Sequence, residues 1–255
     1  MNMKRTLLFV LALSTITLYA ETKTTAANGD WDDTNTWGGS LPASGDDIII
    51  AHDVDVDDVR SCNSLTVNSG ARLDVEANLT VATTSANNGT LYIKTGDLTQ
   101  SAGNFTNAGT LRVYGGYDLV FTNSSTTLTN TGTITIYSSA SSFGSILLSG
   151  TYSESGSGTI QYSRYIAGTD YWDLIGPPLS GYSVEDFVFD NNDIATNGSS
   201  PTTYAVGYYE NTASASSTNG GWTNYNSDTY GTNLLSGKGY QMSTDGTATG
   251  AEVTF

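Results

Sequence analysis

The amino-acid sequence predicts an all-β protein in which a short parallel β-solenoid (β-helix) precedes an aromatic-rich β-sandwich-like domain. Three observations lead to this fold class: short segments alternate apolar and polar residues, Gly-Thr pairs recur, and no helical periodicity extends over three turns after residue 20. Alternation with a period of two is typical of strands, and a recurring short unit is typical of stacked coils.

Residues 1–20 have the layout of a secretory signal peptide. Lys4 and Arg5 precede an apolar stretch over residues 7–13, and small and polar residues follow as far as Ala20. We expect cleavage after Ala20, which assigns the mature chain to the cell surface or the extracellular medium. No later stretch of about 18 residues is continuously apolar, so we expect no membrane span in the mature chain.

Residues 21–47 are interpreted as an acidic N-terminal cap in which Trp31 and Trp37 close the exposed end of the first coil. Nine aspartates lie between residues 30 and 58, and converging carboxylates are typical of calcium sites. No calcium-binding sequence motif accompanies them, so a solvated acidic surface is the alternative. The candidate calcium ligands are Asp30, Asp32, Asp33, Asp53, Asp55 and Asp57.

Residues 48–162 are predicted to form the solenoid repeats. Gly-Thr pairs begin at residues 89, 109, 132 and 158, and an alternating segment follows each pair. Units of this length cannot bury an apolar face alone and must stack. A β-sandwich of hairpins is the alternative, but the recurring period favours about five coils. We expect Leu, Val, Ile and Tyr to point inward, and Thr, Ser and Asn to point outward.

Residues 163–255 are predicted to form the β-sandwich-like domain, because 14 of the 27 aromatic residues lie there and the Gly-Thr spacing ends. Residues 252–255 have the pattern of a strand interior, so we expect this domain to be incomplete and the chain to be part of a longer protein. Trp222, Tyr225 and Tyr230 lie in a Gly- and Asn-rich region and are the candidate carbohydrate-binding residues. Half-buried strand aromatics are the alternative interpretation.

The composition excludes much catalytic chemistry. One His and one Cys cannot form a multi-His/Cys metal site or an intrachain disulfide. His52 has no accompanying nucleophile motif, and the only acids between residues 77 and 160 are Asp97, Asp118 and Glu154, too few for a groove with facing carboxylates. We therefore predict no catalytic residues, no enzyme activity and no cofactor other than a structural calcium ion.

Two stretches resemble known families. Residues 29–39 read Gly-Asp-Trp-Asp-Asp-Thr-Asn-Thr-Trp-Gly-Gly, followed by Gly-Asp-Asp-Ile-Ile-Ile at 45–50. This stretch resembles the opening of β-helical modules in Bacteroidota surface proteins and is similar to the eight-glycine domain of extracellular, polysaccharide-associated proteins. Residues 171–178 read Tyr-Trp-Asp-Leu-Ile-Gly-Pro-Pro, followed by Gly-Lys-Gly-Tyr at 237–240. They resemble the β-domain that precedes the sorting domain in proteins of the type IX secretion pathway.

These resemblances imply a stalk, an adhesin segment or a non-catalytic part of a larger enzyme. We expect a non-catalytic, secreted or cell-surface structural and adhesion segment of a larger bacterial exoprotein. The alternatives are a carbohydrate-binding module attached to a catalytic or sorting domain, and a fragment of a polysaccharide-degrading enzyme. The expected partners are extracellular polysaccharide or other cell-surface components. Seven basic and 25 acidic residues after residue 20 give a net charge of −18, which disfavours nucleic acid.

Overall fold

The computed structural model describes residues 20–166, 172–210, 221–245 and 252–255. All but the last residue of the predicted signal peptide lies outside these residues. The regular structure of the described residues consists of three parallel sheets, one antiparallel sheet and one short helix. The predicted fold class, an all-β chain with a parallel β-solenoid followed by an antiparallel unit, is confirmed.

The solenoid has three parallel sheets and about six turns, and its strands are numbered in chain order. Sheet A contains β1 (Thr22–Thr24), β3 (Asp47–Ile50), β6 (Ser64–Val67), β9 (Ser85–Asn87), β12 (Phe105–Asn107), β15 (Thr127–Asn130) and β18 (Thr151–Glu154). Sheet B contains β2 (Gly29–Asp30), β4 (Val54–Val56), β7 (Arg72–Val75), β10 (Thr90–Ile93), β13 (Thr110–Val113), β16 (Thr133–Tyr137) and β19 (Thr159–Tyr165). Sheet C contains β5 (Arg60–Cys62), β8 (Leu79–Val81), β11 (Leu98–Gln100), β14 (Asp118–Phe121) and β17 (Ser145–Leu148).

The Gly-Thr repeat of the sequence corresponds to the stacking of coils in sheet B. Thr90 pairs with Thr110, Thr110 with Thr133, and Thr133 with Thr159, all in parallel register. One repeat is therefore one coil. The stack exceeds the predicted five coils because β1 and β2, within the segment interpreted as a cap, already pair in parallel with β3 and β4.

The glycine of each pair allows neighbouring coils to approach closely. A Cβ atom on Gly109 would lie 2.0 Å from the carbonyl oxygen of Gly89, and one on Gly132 would lie 2.1 Å from that of Gly109. Any larger residue at these positions would force the coils apart, because backbone atoms cannot yield as a flexible side chain can.

The core of the solenoid consists of apolar side chains stacked at equivalent positions. Leu73, Leu91, Leu111 and Ile134 follow one another along sheet B and are at most 1% exposed. Stacks of this kind pack the interior without voids and continue from coil to coil.

Trp31 and Trp37 join this core at the first coil. Their ring centroids are 5.0 Å apart in an edge-to-face arrangement, and Nε1 of Trp37 donates a hydrogen bond of 2.7 Å to the carbonyl oxygen of Trp31. The buried indole N–H is thereby satisfied, as burial of a tryptophan requires.

Three asparagines point inward, contrary to the expectation that asparagines face solvent. Asn87, Asn107 and Asn130 are at most 1% exposed and form an asparagine ladder. Nδ2 of Asn87 donates to Oδ1 of Asn107 (2.7 Å), Nδ2 of Asn107 donates to Oδ1 of Asn130 (2.8 Å), and Nδ2 of Asn130 donates to the carbonyl oxygen of Thr159 (2.9 Å). Each amide donates along the ladder, and the oxygens of Asn107 and Asn130 each accept, which offsets the cost of burying them; Oδ1 of Asn87, at the start of the ladder, has no hydrogen-bond partner.

Tyr92, Tyr114 and Tyr137, on or next to sheet B, point outward, again contrary to the expectation, whereas Tyr162 of β19 follows the inward positions of Val113 and Ile136. Tyr114 lies between Tyr92, with an edge-to-face contact at 6.1 Å, and Tyr137, with a stacked contact at 5.3 Å between ring centroids. The guanidinium of Arg112 lies 5.1 Å from the centroid of the Tyr92 ring. The half-buried rings thus cover one another on the outside of the solenoid.

The C-terminal unit has its own core. Sheet D is antiparallel, with spatial order β20 (Asp173–Ile175), β23 (Tyr240–Met242), β21 (Thr203–Tyr209) and β22 (Trp222–Asn226). Helix α1 (Val184–Asp190) packs into the same core, and β24 (Glu252–Thr254) pairs antiparallel with β19 of the solenoid. The described part of the predicted sandwich-like domain thus contains one antiparallel sheet, a helix and a strand that extends sheet B.

Helix α1 has no signal in the sequence because it is short. The hydroxyl of Ser183 caps it by accepting a hydrogen bond of 2.9 Å from the backbone N–H of Asp186, while Val184, Phe187 and Val188 are buried. This apolar spacing spans only seven residues, too few for a periodic signal. Among the described residues no helix is long and apolar enough to cross a membrane.

Candidate functional site

Three of the six predicted calcium ligands converge. Carboxylate oxygens of Asp30, Asp32 and Asp57 lie within 4.8 Å of one another, and all three residues are exposed. Asp32 also lies 3.9 Å from the guanidinium of Arg60, which in turn is 3.4 Å from Asp58. The calcium site stays a prediction here, and calorimetric titration of the chain and of Asp57→Asn with Ca²⁺ tests it.

A fourth predicted ligand, Asp55, belongs to a different group, with Asp74 and Glu76. Lys94 forms an ion pair with Asp74 and another, at 3.4 Å, with Glu76, while Arg72 lies 3.3 Å from Asp74. Burial raises the pKa of Asp55, and the charges of Asp74 and Glu76 raise it further. Two cationic side chains thus neutralise the buried Asp74, so this group is a salt-bridge network on the outside of sheet B.

The remaining two predicted ligands lie in neither group. Asp33 accepts two hydrogen bonds of 2.9 Å from the backbone and side chain of Asn35, which makes it a turn residue. The carbonyl oxygen of Asp53 accepts a hydrogen bond from the backbone N–H of Gly29 across adjacent coils. The six aspartates therefore do not form one site.

The single His forms a hydrogen bond within the solenoid, and the single Cys is buried in the solenoid core. Nδ1 of His52 lies 3.1 Å from Oγ1 of Thr25, a hydrogen bond between neighbouring coils. Cys62 is 1% exposed, and burial together with the nearby charge of Asp47 raises the pKa of its thiol to about 12. A protonated, buried thiol is a poor nucleophile.

The acids in the middle of the solenoid also join neighbouring coils. Oδ1 of Asp97 accepts a hydrogen bond of 2.9 Å from the backbone N–H of Asp118, whose own carboxylate accepts one from the hydroxyl of Ser145. Each of these two carboxylates therefore forms a hydrogen bond that joins neighbouring coils.

The three aromatic residues predicted to bind carbohydrate do not share a surface. Tyr225 is 6% exposed, and burial raises its pKa to about 12, so it is a core residue rather than the exposed ring expected. Tyr230 stacks on Tyr204 at 5.8 Å between ring centroids. Trp222 points to the opposite face of β22 from Tyr225, because residues three apart in a strand face opposite sides.

A cleft of about 260 Å³ lies on the outer face of sheet D, and Trp222 is one of its walls. The other lining residues are Trp172, Asn224 and Gln241. Trp172 immediately precedes β20 and is 53% exposed. Asn224 follows Trp222 by two residues and therefore shares its face, while Gln241 occupies the middle of β23 between two buried residues. We call this site the tryptophan cleft.

Strand register explains how the two amides of the tryptophan cleft meet. Gly207 on β21 pairs with Asn224 on one side and with Gln241 on the other. A Cβ atom on Gly207 would lie 2.4 Å from Oδ1 of Asn224. Because the glycine leaves this space open, Nε2 of Gln241 donates a hydrogen bond of 2.8 Å to Oδ1 of Asn224 across the intervening strand.

A larger groove of about 560 Å³ lies between the last solenoid coil and residues 178–182. Two tyrosines of this groove donate hydrogen bonds to neighbouring carboxylates, Tyr152 to Glu154 at 3.2 Å and Tyr182 to Asp190 at 2.5 Å. Burial and the Asp190 contact raise the pKa of Tyr182. These polar groups are thus satisfied within the chain.

The chain matches no known family model, no curated protein and no solved structure. Sequence reasoning missed Trp172, Asn224 and Gln241 as members of one site, although Trp-x-Asn at 222–224 carries the alternation that places two side chains on one face. What the sequence could not provide is the order of strands in sheet D.

Proposed function

We propose that the chain is a non-catalytic structural and adhesion segment of a larger extracellular bacterial protein. In this role the solenoid is a stiff spacer that carries the C-terminal unit. The observation that carries the proposal is the continuous interior of the solenoid, in which apolar stacks and the asparagine ladder run from coil to coil. A stack in which each coil is hydrogen-bonded to its neighbours along three sheets resists bending and pulling.

The surroundings of the reactive side chains support a role without catalysis. His52, Cys62, Asp97 and Asp118 are engaged in burial or in hydrogen bonds between coils. A general base or nucleophile needs access to substrate, and these contacts instead direct the side chains to the neighbouring coil or to the core.

Single-molecule pulling on the chain, held by tags at its two ends, tests the spacer role. We expect the solenoid to unfold in discrete steps of one coil, each of about 20–26 residues and about 70–90 Å of released contour length. The reason is that each coil is secured mainly by its neighbours. Extension without steps, at forces typical of a disordered chain, would contradict the proposal.

Incubation with pectin, alginate and hyaluronan tests the absence of catalysis. We expect no release of reducing ends or unsaturated products above the level of a heat-denatured sample. Turnover of any of these polymers by the chain would replace the structural proposal with an enzymatic one.

A further inference from the structure

We infer that the tryptophan cleft binds one uncharged hexopyranose unit of an extracellular polysaccharide. The inference rests on the proposed adhesion role and names its ligand class. The cleft combines two indole rings, of which Trp172 is 53% exposed, with the two amides of Asn224 and Gln241. An exposed indole outside a protein core is a large apolar surface that a ligand can cover.

The side-chain amides of Asn224 and Gln241 can form hydrogen bonds with hydroxyl groups on neighbouring carbon atoms of a sugar. A side-chain amide has two N–H donors and two acceptor lone pairs, and the bond of 2.8 Å between Gln241 and Asn224 uses one of each. Two linked amides therefore offer donors and acceptors side by side. Neighbouring hydroxyl groups of a pyranose each donate and accept, so they match this arrangement, while the C–H face of the sugar covers an indole.

The charge and size of the tryptophan cleft restrict the ligand. All four lining residues are uncharged, so a uronate or sulfated sugar would lack a cationic partner there. A volume of about 260 Å³ is below the range of about 300–1,000 Å³ that holds drug-sized ligands. One sugar ring therefore fits better than an oligosaccharide, and a single ring is expected to bind with a dissociation constant on the order of millimolar.

Gly207 is the positioning residue of this site. Its missing side chain lets the two amides meet above the strand. An isolated glycine in the middle of a strand weakens the strand, so its presence is accounted for by the close approach of these groups.

Affinity electrophoresis in gels containing neutral glucan, mannan or galactan, and separately alginate or polygalacturonate, tests the inference. We expect retardation of the chain by at least one neutral polymer and by neither anionic polymer. Trp172→Ala and Gln241→Ala should weaken binding, the former at least about tenfold because it removes one wall. Phe189→Ala is the matched control, since Phe189 is 57% exposed but lies on α1; its retardation should be unchanged.

Circular dichroism of each variant verifies folding, and titration of the unmodified chain with free hexoses, followed by tryptophan fluorescence, gives a second readout that needs no variant. No retardation by any neutral polymer, retardation by anionic polymers alone, or unchanged retardation of folded Trp172→Ala would overturn the inference. These failures differ from a failure of the proposed function, which appears as unfolding without steps or as turnover. Loss of binding with stepwise unfolding removes only the sugar site.

Discussion

Asn107 lies in the middle of the asparagine ladder and is bonded on both sides, to Asn87 and Asn130. We expect Asn107→Ala to lower the free energy of unfolding by about 2–4 kcal/mol, because it leaves a buried donor and a buried acceptor unpaired and opens a cavity. Urea unfolding at constant m-value measures this change. Thr106→Ala, at an exposed position of the same strand, should change it by less than about 0.5 kcal/mol. Equal effects of the two substitutions would contradict a stabilising ladder.

Gly109 shows the effect of close backbone approach at a single residue. We expect Gly109→Ala to destabilise the solenoid by about 3 kcal/mol or more, because its Cβ atom would lie 2.0 Å from a carbonyl oxygen of the preceding coil. Gly45→Ala, where a Cβ atom would meet nothing within 4 Å, should be neutral or stabilising by up to about 1 kcal/mol. Thermal unfolding of both variants provides the comparison, and a tolerated Gly109→Ala would disprove the packing argument.

The raised pKa of Asp55 has a consequence for stability that depends on pH. Burial and the charges of Asp74 and Glu76 raise this pKa in the folded state above the unfolded value of about 3.9. Stability contributed by Asp55 is therefore lost as pH rises from about 4 through the folded-state pKa. We expect Asp55→Asn to be more stable than the parent chain at pH 7, by about 0.5 kcal/mol. This difference in the free energy of unfolding between Asp55→Asn and the parent chain should vanish below about pH 4.

Thermal unfolding between pH 3 and pH 8 measures this difference. Asp228→Asn removes one exposed charge elsewhere and serves as the control. A stabilisation by Asp55→Asn that persists at pH 3 would mean that packing, rather than charge, is responsible.

Hydrogen bonds between Asn191 and Thr254 and an aromatic contact of Phe255 join β24 to helix α1. Phe255 is 4% exposed and stacks on Phe187 of the helix at 4.9 Å between ring centroids. Its backbone also exchanges two hydrogen bonds of 3.0 Å with Tyr162 of β19. We expect Phe255→Ala to destabilise the C-terminal unit by about 3–4 kcal/mol through the cavity it leaves.

Hydrogen exchange shows which part of the chain Phe255→Ala destabilises. Amide protons of α1 should lose protection in Phe255→Ala, whereas those of β10 in the solenoid should keep it, since the two parts have separate cores. Phe189→Ala, at an exposed position of the same helix, should change neither. Equal loss of protection in α1 and β10 would show that both parts unfold together.

The accuracy of the sequence prediction also differs between elements. The Gly-Thr repeat predicted the solenoid and its register because glycine and threonine recur at one position of every coil from Gly89 onward. The asparagine ladder was equally visible, since Asn87, Asn107 and Asn130 each precede such a glycine by two residues. The sequence alone does not predict the burial of these asparagines, because their hydrogen-bond partners lie in the neighbouring coils.

The C-terminal unit was harder to predict because its contacts are not periodic. Residue spacing placed Trp222 on a strand, but the burial of Tyr225 and the meeting of Asn224 with Gln241 depend on which strands are neighbours. For the same reason, the six aspartates near the N-terminus could be identified as a dense acidic group but not divided into their separate surroundings.

The net charge of the chain indicates which surfaces it does not bind. The net charge is −16 over 255 residues, and like-charged surfaces repel it. We expect the chain not to sediment with phosphatidylglycerol vesicles and not to bind duplex DNA at about 0.15 M salt. Cosedimentation and filter binding check this, with phosphatidylcholine vesicles as the uncharged control. Binding that weakens as salt rises would indicate a localised basic surface.

The coil-by-coil register has a consequence for how such a chain can change over evolutionary time. Each coil meets only the coil before and the coil after it, so duplication of one complete repeat preserves every type of contact while adding about 4.8 Å to the rod. Smaller changes of length are accommodated between the strands, since successive Gly-Thr pairs are 20, 23 and 26 residues apart and the coils still stack in register. Duplication of whole repeats can therefore lengthen the solenoid without any change in the C-terminal unit that it carries.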